Sequence, residues 1–588
     1  MSGDDSGRRS IRYQPDDRPP LALSLGLGLQ LAILVLAGIV LIPTVVVRAA
    51  GGSEAYLSWV VFAAVAVCGL TTALQALRLG RIGAGYILVG GSSGAFIAVC
   101  VVAIAEGGPA LLATLVIIAS LCQFALSARL SLFRRILTPT VVGTVVMLLP
   151  VTVMPVVFGM LTDVPAGSPA PAAPLTALVT IVAIAGVALK ATGALRLWAP
   201  VIGVVVGSAV AGLFGLYSLD RVAAASWLGL PQGGWPGFAL DFGPAFWGLL
   251  PAFLFVALID TARMISYAIA SQQVSWRRPR AVDFRAVQGA VAAGGIGNLL
   301  SGLTGTVPNT LYSSGISVTE LTGVAARRVG FALGLVLIAL AFLPKLLALV
   351  LAIPGPVAAA YLALLMALLF MVGVKLVVRD GIDYRKGLIA GVAFWIGVGF
   401  QNGLIFPEQV AGFAGGLLEN GMTAGGLVAI LMTLFLELTE PRRSRLETEF
   451  ELAALPKIRE FLGEFASRSG WDRAMTHRLE AASEETLLTL SQQAEAGEER
   501  RRRHLRLVAH KEEGGAVLEF VTSIGEENLQ DRIALLSEQT DEVASEREVS
   551  LRLLRHLATS VRHQQYHDLD IVTIRVQAPG SIRHGQER

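Results

Sequence analysis

Charged residues are scarce in this chain, and the scarcity is uneven. Only 15% of the 588 residues are Asp, Glu, Lys or Arg, whereas a soluble protein carries about 25%. Residues 21–440 are nearly free of charge, while residues 441–588 are rich in it. The chain therefore meets two solvents, first a lipid bilayer and then water. The net charge of +3 averages over both parts and predicts no nucleic-acid partner.

Cysteine and histidine are also sparse. The three cysteines, Cys68, Cys100 and Cys122, all lie in apolar segments and fit neither a disulfide framework nor a metal site. All seven histidines lie beyond residue 470, which excludes a histidine proton relay within the apolar part. We expect no metal and no cofactor. Residues 1–20 are polar and form a predicted cytoplasmic tail, so the apolar run after them is predicted to be a membrane span rather than part of a cleaved signal peptide.

Apolar runs of bilayer length predict 14 membrane spans within residues 21–440, because a helix needs about 20 residues to cross the hydrocarbon core. They lie near 21–47, 55–77, 85–105, 108–128, 137–160, 174–193, 197–217, 246–272, 287–304, 308–322, 327–343, 354–376, 387–405 and 422–439. Basic residues collect in the loops after even-numbered spans, and the other loops are mostly acidic. Since basic loops stay in the cytoplasm, we expect both termini there, in a multi-pass protein of the bacterial inner membrane.

Fourteen spans divide into two halves of seven, which predicts an inverted repeat of the kind found in secondary transporters. The third and tenth spans contain GGSSGAFIAV (90–99) and TVPNTLYSSGIS (306–317), so glycine and small polar residues lie at matching places in both halves. Pro308 favours a break, because it removes a backbone donor. These residues either allow close helix packing or mark two broken helices whose backbone groups meet a solute near the midplane.

Two charges interrupt the eighth span, FLFVALIDTARMISYAIAS. A charge at this depth costs about 2.5–3.5 kcal/mol, so each one needs a reason. Asp260 and Arg263 are three residues apart, which places them on one helix face where they can pair. The pair is either a self-neutralising structural feature or a site at which Asp260 binds N–H groups of a substrate or carries a proton.

Several segments resemble one known family. The run GNLLSGLTGTVPNTLYSSGISVTELTGVAARRVG (297–330) resembles the nucleobase–cation symporter-2 family, also called nucleobase–ascorbate transporters, which includes uracil and xanthine permeases. DDRPPLALSLGLGLQLAI (16–33), GSSGAFIAV (91–99) and LTPTVVGTVV (137–146) resemble its other signatures, so the resemblance covers about residues 12–440. It implies a core of spans 1–4 and 8–11, a gate of spans 5–7 and 12–14, extended stretches in spans 3 and 10, and alternating access.

The resemblance also implies a substrate site, with departures from the family. Asp260 matches the acid of the eighth span, whereas Arg263 stands where the family usually has Gly. Ser314 replaces an acid, and Gly94 replaces an aromatic residue, so the substrate does not carry over. The predicted substrate-binding residues are Gln30, Gly94, Phe96, Asp260, Arg263, Asn309, Thr310, Tyr312, Ser313 and Ser314. Asp260 is also the predicted proton-coupling residue. Asn298, Gln401 and Asn402 are expected to form inter-helix hydrogen bonds.

Residues 447–588 are predicted to form a small cytoplasmic α+β domain, behind a basic membrane-edge anchor at 441–446. We expect helices at 454–470, 473–493, 526–537 and 544–562, a hairpin around Gly514 and Gly515, and a last strand at 569–577. This order resembles the histidine-kinase-type ATPase fold of anti-sigma-factor kinases, and Ser483, Glu484 and Glu485 resemble its first nucleotide box. Leu488 replaces the magnesium-binding Asn, and 523–531 replaces the Gly-rich phosphate loop. The resemblance therefore implies a non-catalytic relic that serves dimerisation or regulation.

Three functions remain open from the sequence. The first is a secondary active transporter of a nucleobase, such as uracil, xanthine or urate, or of a related heterocycle, with Asp260 as the site of any proton coupling. The second is a small-anion transporter or channel of sulfate-permease-like fold, which Arg263 favours. The third is a membrane sensor that signals through its cytoplasmic domain. None is an enzyme, and the expected partners are the solute, lipid and a second copy of the chain.

Overall fold

The computed structural model describes residues 11–577 except for 131–137, 218, 232–233, 279, 379–380, 382, 409–417, 419, 440–442, 495–503, 513, 523–527, 536–545 and 568. It divides into two units. The first comprises Met1–Arg277 and Ala286–Leu436, and the second comprises Arg278–Arg285 and Glu437–Arg588.

The first unit is built from helices and two short strands. In chain order the elements are α1 (Leu21–Ala49), α2 (Glu54–Leu77), β1 (Val89–Ser92), α3 (Ile97–Ala128), α4 (Pro139–Gly159), α5 (Ala172–Lys190), α6 (Ala194–Leu197), α7 (Ala199–Leu213), α8 (Asp220–Ala224), α9 (Pro244–Val274), α10 (Phe284–Thr304), β2 (Asn309–Tyr312), α11 (Ser314–Thr322), α12 (Arg327–Ala341), α13 (Pro344–Leu351), α14 (Gly355–Val378), α15 (Tyr384–Gln401) and α16 (Gly421–Thr439). Single 3-10 turns at Gly94–Phe96 and Met160–Thr162 precede α3 and follow α4.

Nine helices within the described ranges are long and apolar enough to cross a membrane, and α12 with α13, bent by 85°, makes a tenth. Their outer faces expose large apolar residues, such as Leu178 at 57%, Leu189 at 82% and Leu368 at 53%. An aqueous protein rarely exposes such contiguous apolar surface. The prediction of a multi-pass helical membrane protein is therefore confirmed.

The predicted spans coincide with these elements, with differences where the helix breaks or shortens. The third and fourth predicted spans are joined in α3, which is broken at Gly108 (φ 73°, ψ 178°) just before Pro109. The seventh corresponds to α7, of 15 residues, and the tenth to β2 followed by α11, of nine. A helix of nine residues is too short to cross a bilayer alone. The count of 14 crossings stays a prediction.

Glycine pairs allow close helix crossings. A Cβ on Gly143 of α4 would lie 2.7 Å from the carbonyl oxygen of Gly373 on α14, and the reverse distance is also 2.7 Å. Gly69 of α2 and Gly334 of α12 show the same reciprocal approach at 2.8 and 2.7 Å. Small residues allow such backbone contact, and van der Waals packing then holds the helices where lipid offers no hydrophobic driving force.

In its described residues the second unit shows a five-stranded antiparallel sheet and four helices. Its elements are β3 (Ser444–Glu449), α17 (Leu455–Arg468), α18 (Arg473–Ala494), β4 (His504–Glu512), β5 (Gly515–Thr522), α19 (Leu529–Leu535), α20 (Glu546–Leu557), β6 (Ser560–Gln565) and β7 (Asp570–Gln577), with strand order β3-β4-β5-β7-β6. Its core includes Leu462 and Leu479 from the helices and Phe520 and Ile574 from the sheet. The predicted hairpin is confirmed, because Gly514 supplies the left-handed turn (φ 80°) between β4 and β5.

Two predictions for this unit are wrong. The predicted helix 544–562 ends at Leu557, and residues 560–565 form β6, paired with β7. The predicted membrane-edge anchor at 441–446 overlaps β3, in which Ser444 lies opposite Ala509 of β4, so the sheet begins before residue 447. In both strands backbone hydrogen bonds to a neighbouring strand override a local pattern that favoured helix or loop. Most of the segment 523–531, which replaces the phosphate loop, lies outside the described residues.

Candidate functional site

Two short paired strands frame the site. β1 and β2 run antiparallel, with Gly91 opposite Thr310 and Ser92 opposite Asn309. The Ser93 N–H donates to the carbonyl oxygen of Pro308 at 2.8 Å, which extends the pairing by one bond. β1 leads through a 3-10 turn into α3, and β2 leads into α11. The third and tenth predicted spans therefore each contain an extended stretch followed by a helix, which confirms the predicted pair of broken helices.

An ion pair on α9 faces these strands. Asp260 and Arg263 are 1% and 6% exposed, and the Nη2 of Arg263 donates to the Oδ1 of Asp260. Three residues on an α-helix turn the chain by nearly one full turn, which is why the two side chains meet. An apolar stretch of helix could not hold either charge alone at this depth, and removing one partner of such a pair costs about 3–5 kcal/mol.

Hydroxyl groups from both strand segments converge on the pair. The Oγ of Ser93 and the Oγ1 of Thr310 donate to the Oδ1 of Asp260 at 3.2 and 3.0 Å. The Nη2 of Arg263 donates to the Oγ1 of Thr310 at 2.8 Å and to the Oγ of Ser93 at 3.4 Å. The Oδ1 of Asp260 and the Nη2 of Arg263 thus connect α9 both to Ser93, directly after β1, and to Thr310 of β2.

Two other polar atoms of the pair have no such partners. The Oδ2 of Asp260 and the Nε of Arg263 are buried and have no hydrogen-bond partner among the described residues. Leaving a buried polar group unpaired costs about 1–3 kcal/mol, and more for a charged group. An unsatisfied acceptor and an unsatisfied donor within one ion pair suit a ligand that presents an N–H group next to a carbonyl oxygen.

A second polar network holds β2 in place. The Oδ1 of Asn298 on α10 accepts from the Asn309 N–H at 2.6 Å, and the Nδ2 of Asn298 donates to the Oε1 of Gln123 on α3 at 2.7 Å. The predicted inter-helix role of Asn298 is confirmed. The side chain of Asn309 points to α2, where its Nδ2 donates to the Oγ1 of Thr71 at 3.3 Å. Asn309 therefore does not join the ion pair.

Tyr312 packs against the opposite strand instead of hydrogen-bonding to the pair. Its Oη donates to the carbonyl oxygen of Ser92 at 2.9 Å, and its ring fills the space that the missing side chain of Gly91 leaves. A Cβ on Gly91 would lie 2.3 Å from the Cζ of Tyr312. The tyrosine thus fixes the spacing of β1 and β2.

The remaining predicted site residues form no hydrogen bond with the pair in the described part of the chain. Phe96 is fully buried and packs its ring on Phe253 of α9, with centroids 5.9 Å apart. Gly94 is buried, and the nearest atom to a Cβ there would be the Cε of Met366, at 3.4 Å. The Ser313 carbonyl accepts from Ser317 N–H at the start of α11, and the Oγ of Ser314 is buried without a described partner. Gln30 is half-buried on α1.

Ser93 was missed as a site residue by the sequence reasoning. It belongs to the pair of serines in GSSG (91–94), which did mark the broken third span. Only its position beside α9, 167 residues away in sequence, shows that its hydroxyl reaches Asp260. The signal that could have found it is the polar side chain at the junction of strand and helix, the point where a broken helix exposes its groups.

A large cavity lies elsewhere in the first unit. It has a volume of about 900 Å³ and is lined by the carboxyl-terminal ends of α1 and α4, the start of α14 and part of α3, including Val45, Arg48, Val101, Met160 and Gly355. Neither Asp260 nor Arg263 lines it. The cavity therefore separates elements of the predicted core from elements of the predicted gate without containing the ion pair.

In the second unit one residue of the segment that resembles a nucleotide box, Glu484, forms an ion pair, whereas the Oε2 of Glu485 is buried without a described partner. The Oε2 of Glu484 accepts from the Nη2 of Arg459 at 2.6 Å, and the Oγ of Ser483 is buried. Within the described ranges no group of three or more His, Cys, Asp or Glu side chains could hold a metal ion. The ATPase-like resemblance of this unit stays a prediction.

Comparison with known proteins agrees with the geometry of the first unit. The xanthine and uracil permease model (Xan_ur_permease, Permease family) matches residues 23–405. The chain is 26% identical over 441 residues to the xanthine permease XanP of Escherichia coli (strain K12), covering 72% of this chain and 94% of that one. It is 27% identical over 358 residues to the uracil permease of Bacillus caldolyticus, covering 59% and 79%.

A solved structure, the transmembrane domain of a cyanobacterium bicarbonate transporter BicA, matches 73% of this chain and 100% of its own, with a TM-score of 0.45 and 18% identity. The family match covers most of the membrane part and excludes an enzymatic role, since the relatives are transporters. On the match to residues 23–405, the chain belongs to the Permease family of xanthine and uracil permeases.

Proposed function

We propose that the chain moves a nucleobase across the membrane and binds it at the Asp260–Arg263 pair. The observation that carries this proposal is an unpaired acceptor and an unpaired donor within one ion pair, the Oδ2 of Asp260 and the Nε of Arg263, both buried beside the two interrupted spans. Uracil, xanthine and urate all present a ring N–H next to a carbonyl oxygen. Such an edge satisfies both atoms at once, whereas an apolar solute leaves both unpaired.

The relatives support this class of substrate. The names of two of them state xanthine and uracil as cargo, one a purine and the other a pyrimidine. The edge with a ring N–H next to a carbonyl oxygen is common to both ring systems, and it is the part of the base that the pair would contact.

We further propose that transport proceeds by alternating access, in which a core domain moves against a gate domain. We place β1, α3, α9, β2 and α11 in a core domain and α4, α5, α14 and α15 in a gate, within a 14-span inverted repeat that has both termini in the cytoplasm of a bacterium. The cavity of about 900 Å³ supports this division, because it lies between α1 and α3 on one side and α4 and α14 on the other. The carboxyl-terminal end of α1 would then face outward. We also propose a homodimer embedded in lipid.

Flux through purified protein in liposomes tests the proposal. Radiolabelled uracil and xanthine, and in parallel sulfate and bicarbonate, are offered to vesicles that contain the wild type, Asp260→Ala or Glu320→Gln. Glu320 is an exposed acid on α11 and serves as the matched control. We expect base entry in the wild type and in Glu320→Gln, and its loss in Asp260→Ala with insertion retained. Entry of the anions but of neither base would contradict the proposal.

A further inference from the structure

The ion pair gives the site a fixed charge balance. The sequence predicts Asp260 as the proton-coupling residue, yet Arg263 already supplies a permanent positive charge against the same carboxylate. We propose that Arg263 takes the place of the coupling proton, so that the chain equilibrates a nucleobase across the membrane without proton symport. This inference rests on the proposed function and concerns how the same site is driven.

The contacts of Asp260 already compensate its negative charge. Its Oδ1 receives hydrogen bonds from Arg263, Ser93 and Thr310 together. A buried carboxylate is tolerated when an opposite charge and hydrogen-bond donors accompany it. Removing the negative charge of Asp260 would leave the guanidinium of Arg263, 6% exposed, buried without its counter-charge. Arg263 thus provides the compensation that a coupling proton would otherwise provide.

No other charged group among the described residues around the pair can serve as the proton-coupling group. The ionisable groups that interact with it are the phenols of Tyr267 on α9 and Tyr312 on β2. The thiol of Cys68 on α2 and the phenol of Tyr361 on α14 lie next to Tyr312. Phenols and thiols buried in an apolar interior are neutral at physiological pH. The site therefore holds one negative and one positive charge and no third.

Because the site has no net charge, the empty carrier can change conformation without first binding a proton. In a symporter the unpaired carboxylate must be neutralised by a proton before the site crosses the apolar barrier, because an uncompensated charge there is costly. Asp260 paired with Arg263 carries no net charge with or without a bound base. The empty site can therefore cross the apolar barrier as readily as the loaded one. This is the behaviour of a facilitator, a carrier that equilibrates its solute without a coupling ion.

The test compares the accumulation ratio with and without a pH gradient. Liposomes that contain the wild-type full chain receive radiolabelled uracil, either at equal pH or with the inside more alkaline by about one unit. If one proton accompanied each base, that gradient would drive about tenfold accumulation. We expect an inside-to-outside ratio near unity in both conditions. Gradient-driven accumulation in the wild type would overturn the inference, and no entry in either condition would overturn the proposed function as well.

Two substitutions at Arg263 sharpen the test. Arg263→Gln removes the charge but keeps a side chain of similar reach, so Asp260 is left to be neutralised by a proton, and we expect uptake to become dependent on the gradient. Arg263→Lys keeps the charge, and we expect uptake to stay independent of the gradient at whatever rate it proceeds. The same dependence on the gradient in both variants would overturn the role given to the charge.

Discussion

The contact between Gly91 and Tyr312 predicts that a single methyl group disrupts the site. In Gly91→Ala the new Cβ would lie 2.3, 2.4 and 2.6 Å from three atoms of the Tyr312 ring. Carbon atoms in favourable contact stand about 3.5–4.0 Å apart, so the ring must move by about 1 Å or more. The ring cannot do so while its hydroxyl keeps the bond to the Ser92 carbonyl oxygen, now 2.9 Å long.

The size of the effect follows from these two changes. Overpacking a filled interior costs about 1–3 kcal/mol, and the lost hydrogen bond adds about 0.5–1.5 kcal/mol. We expect the free energy of unfolding to fall by about 2–4 kcal/mol. Because Tyr312 sets the spacing of β1 and β2, the hydroxyls of Ser93 and Thr310 should also lose their positions on Asp260, and base affinity should fall with stability.

The assay pairs unfolding in detergent with base uptake in liposomes, and Gly186→Ala is the control. Gly186 lies on α5, outside the predicted site, and a Cβ there meets no neighbouring atom within 4 Å. We expect Gly186→Ala to resemble the wild type in both measurements. Wild-type stability and uptake in Gly91→Ala would refute the account of how the two strands are held together.

Three further predictions concern buried polar groups. Thr310→Val should weaken base binding and lower the free energy of unfolding by about 1–3 kcal/mol, because Asp260 loses a hydroxyl donor, whereas Thr310→Ser should retain both properties. Asn298→Ala should cost a similar free energy of unfolding and speed amide exchange along β2, since the Asn309 N–H loses its acceptor; unchanged exchange would contradict the bridging role. His563→Leu removes the ring that accepts from the Leu529 N–H at 3.0 Å, and should speed amide exchange in α19 of the full chain.

Much of the membrane part could be predicted because the bilayer imposes a simple rule on composition. Long apolar runs gave the helices, and glycine, serine and proline within two runs gave the broken spans around β1 and β2. The pairing of Asp260 with Arg263 followed from a spacing of three residues on one helix. These patterns involve residues close together in sequence. In the uniform apolar solvent of the bilayer, such local patterns decide where helices form and where they break.

The contacts that complete the site could not be predicted, because they join residues far apart in sequence. Ser93 reaches Asp260 across 167 positions, and Asn298 reaches Gln123 across 175. Nor does periodicity distinguish a stacking ring from a packed one, and Phe96 packs on Phe253. Residues 560–565 continue the spacing of the preceding helix, yet they pair with β7, since the sheet offers backbone partners that an isolated helix end lacks.

The most direct test of the central claim is the affinity of a nucleobase for the purified full chain, measured by titration calorimetry for the wild type and for Asp260→Asn. The substitution keeps the shape of the side chain but removes the charge that accepts a ring N–H. We predict that uracil or xanthine binds the wild type and that Asp260→Asn weakens this binding at least tenfold, which corresponds to about 1.4 kcal/mol. Equal affinity in the two proteins would contradict the claim that Asp260 holds the base.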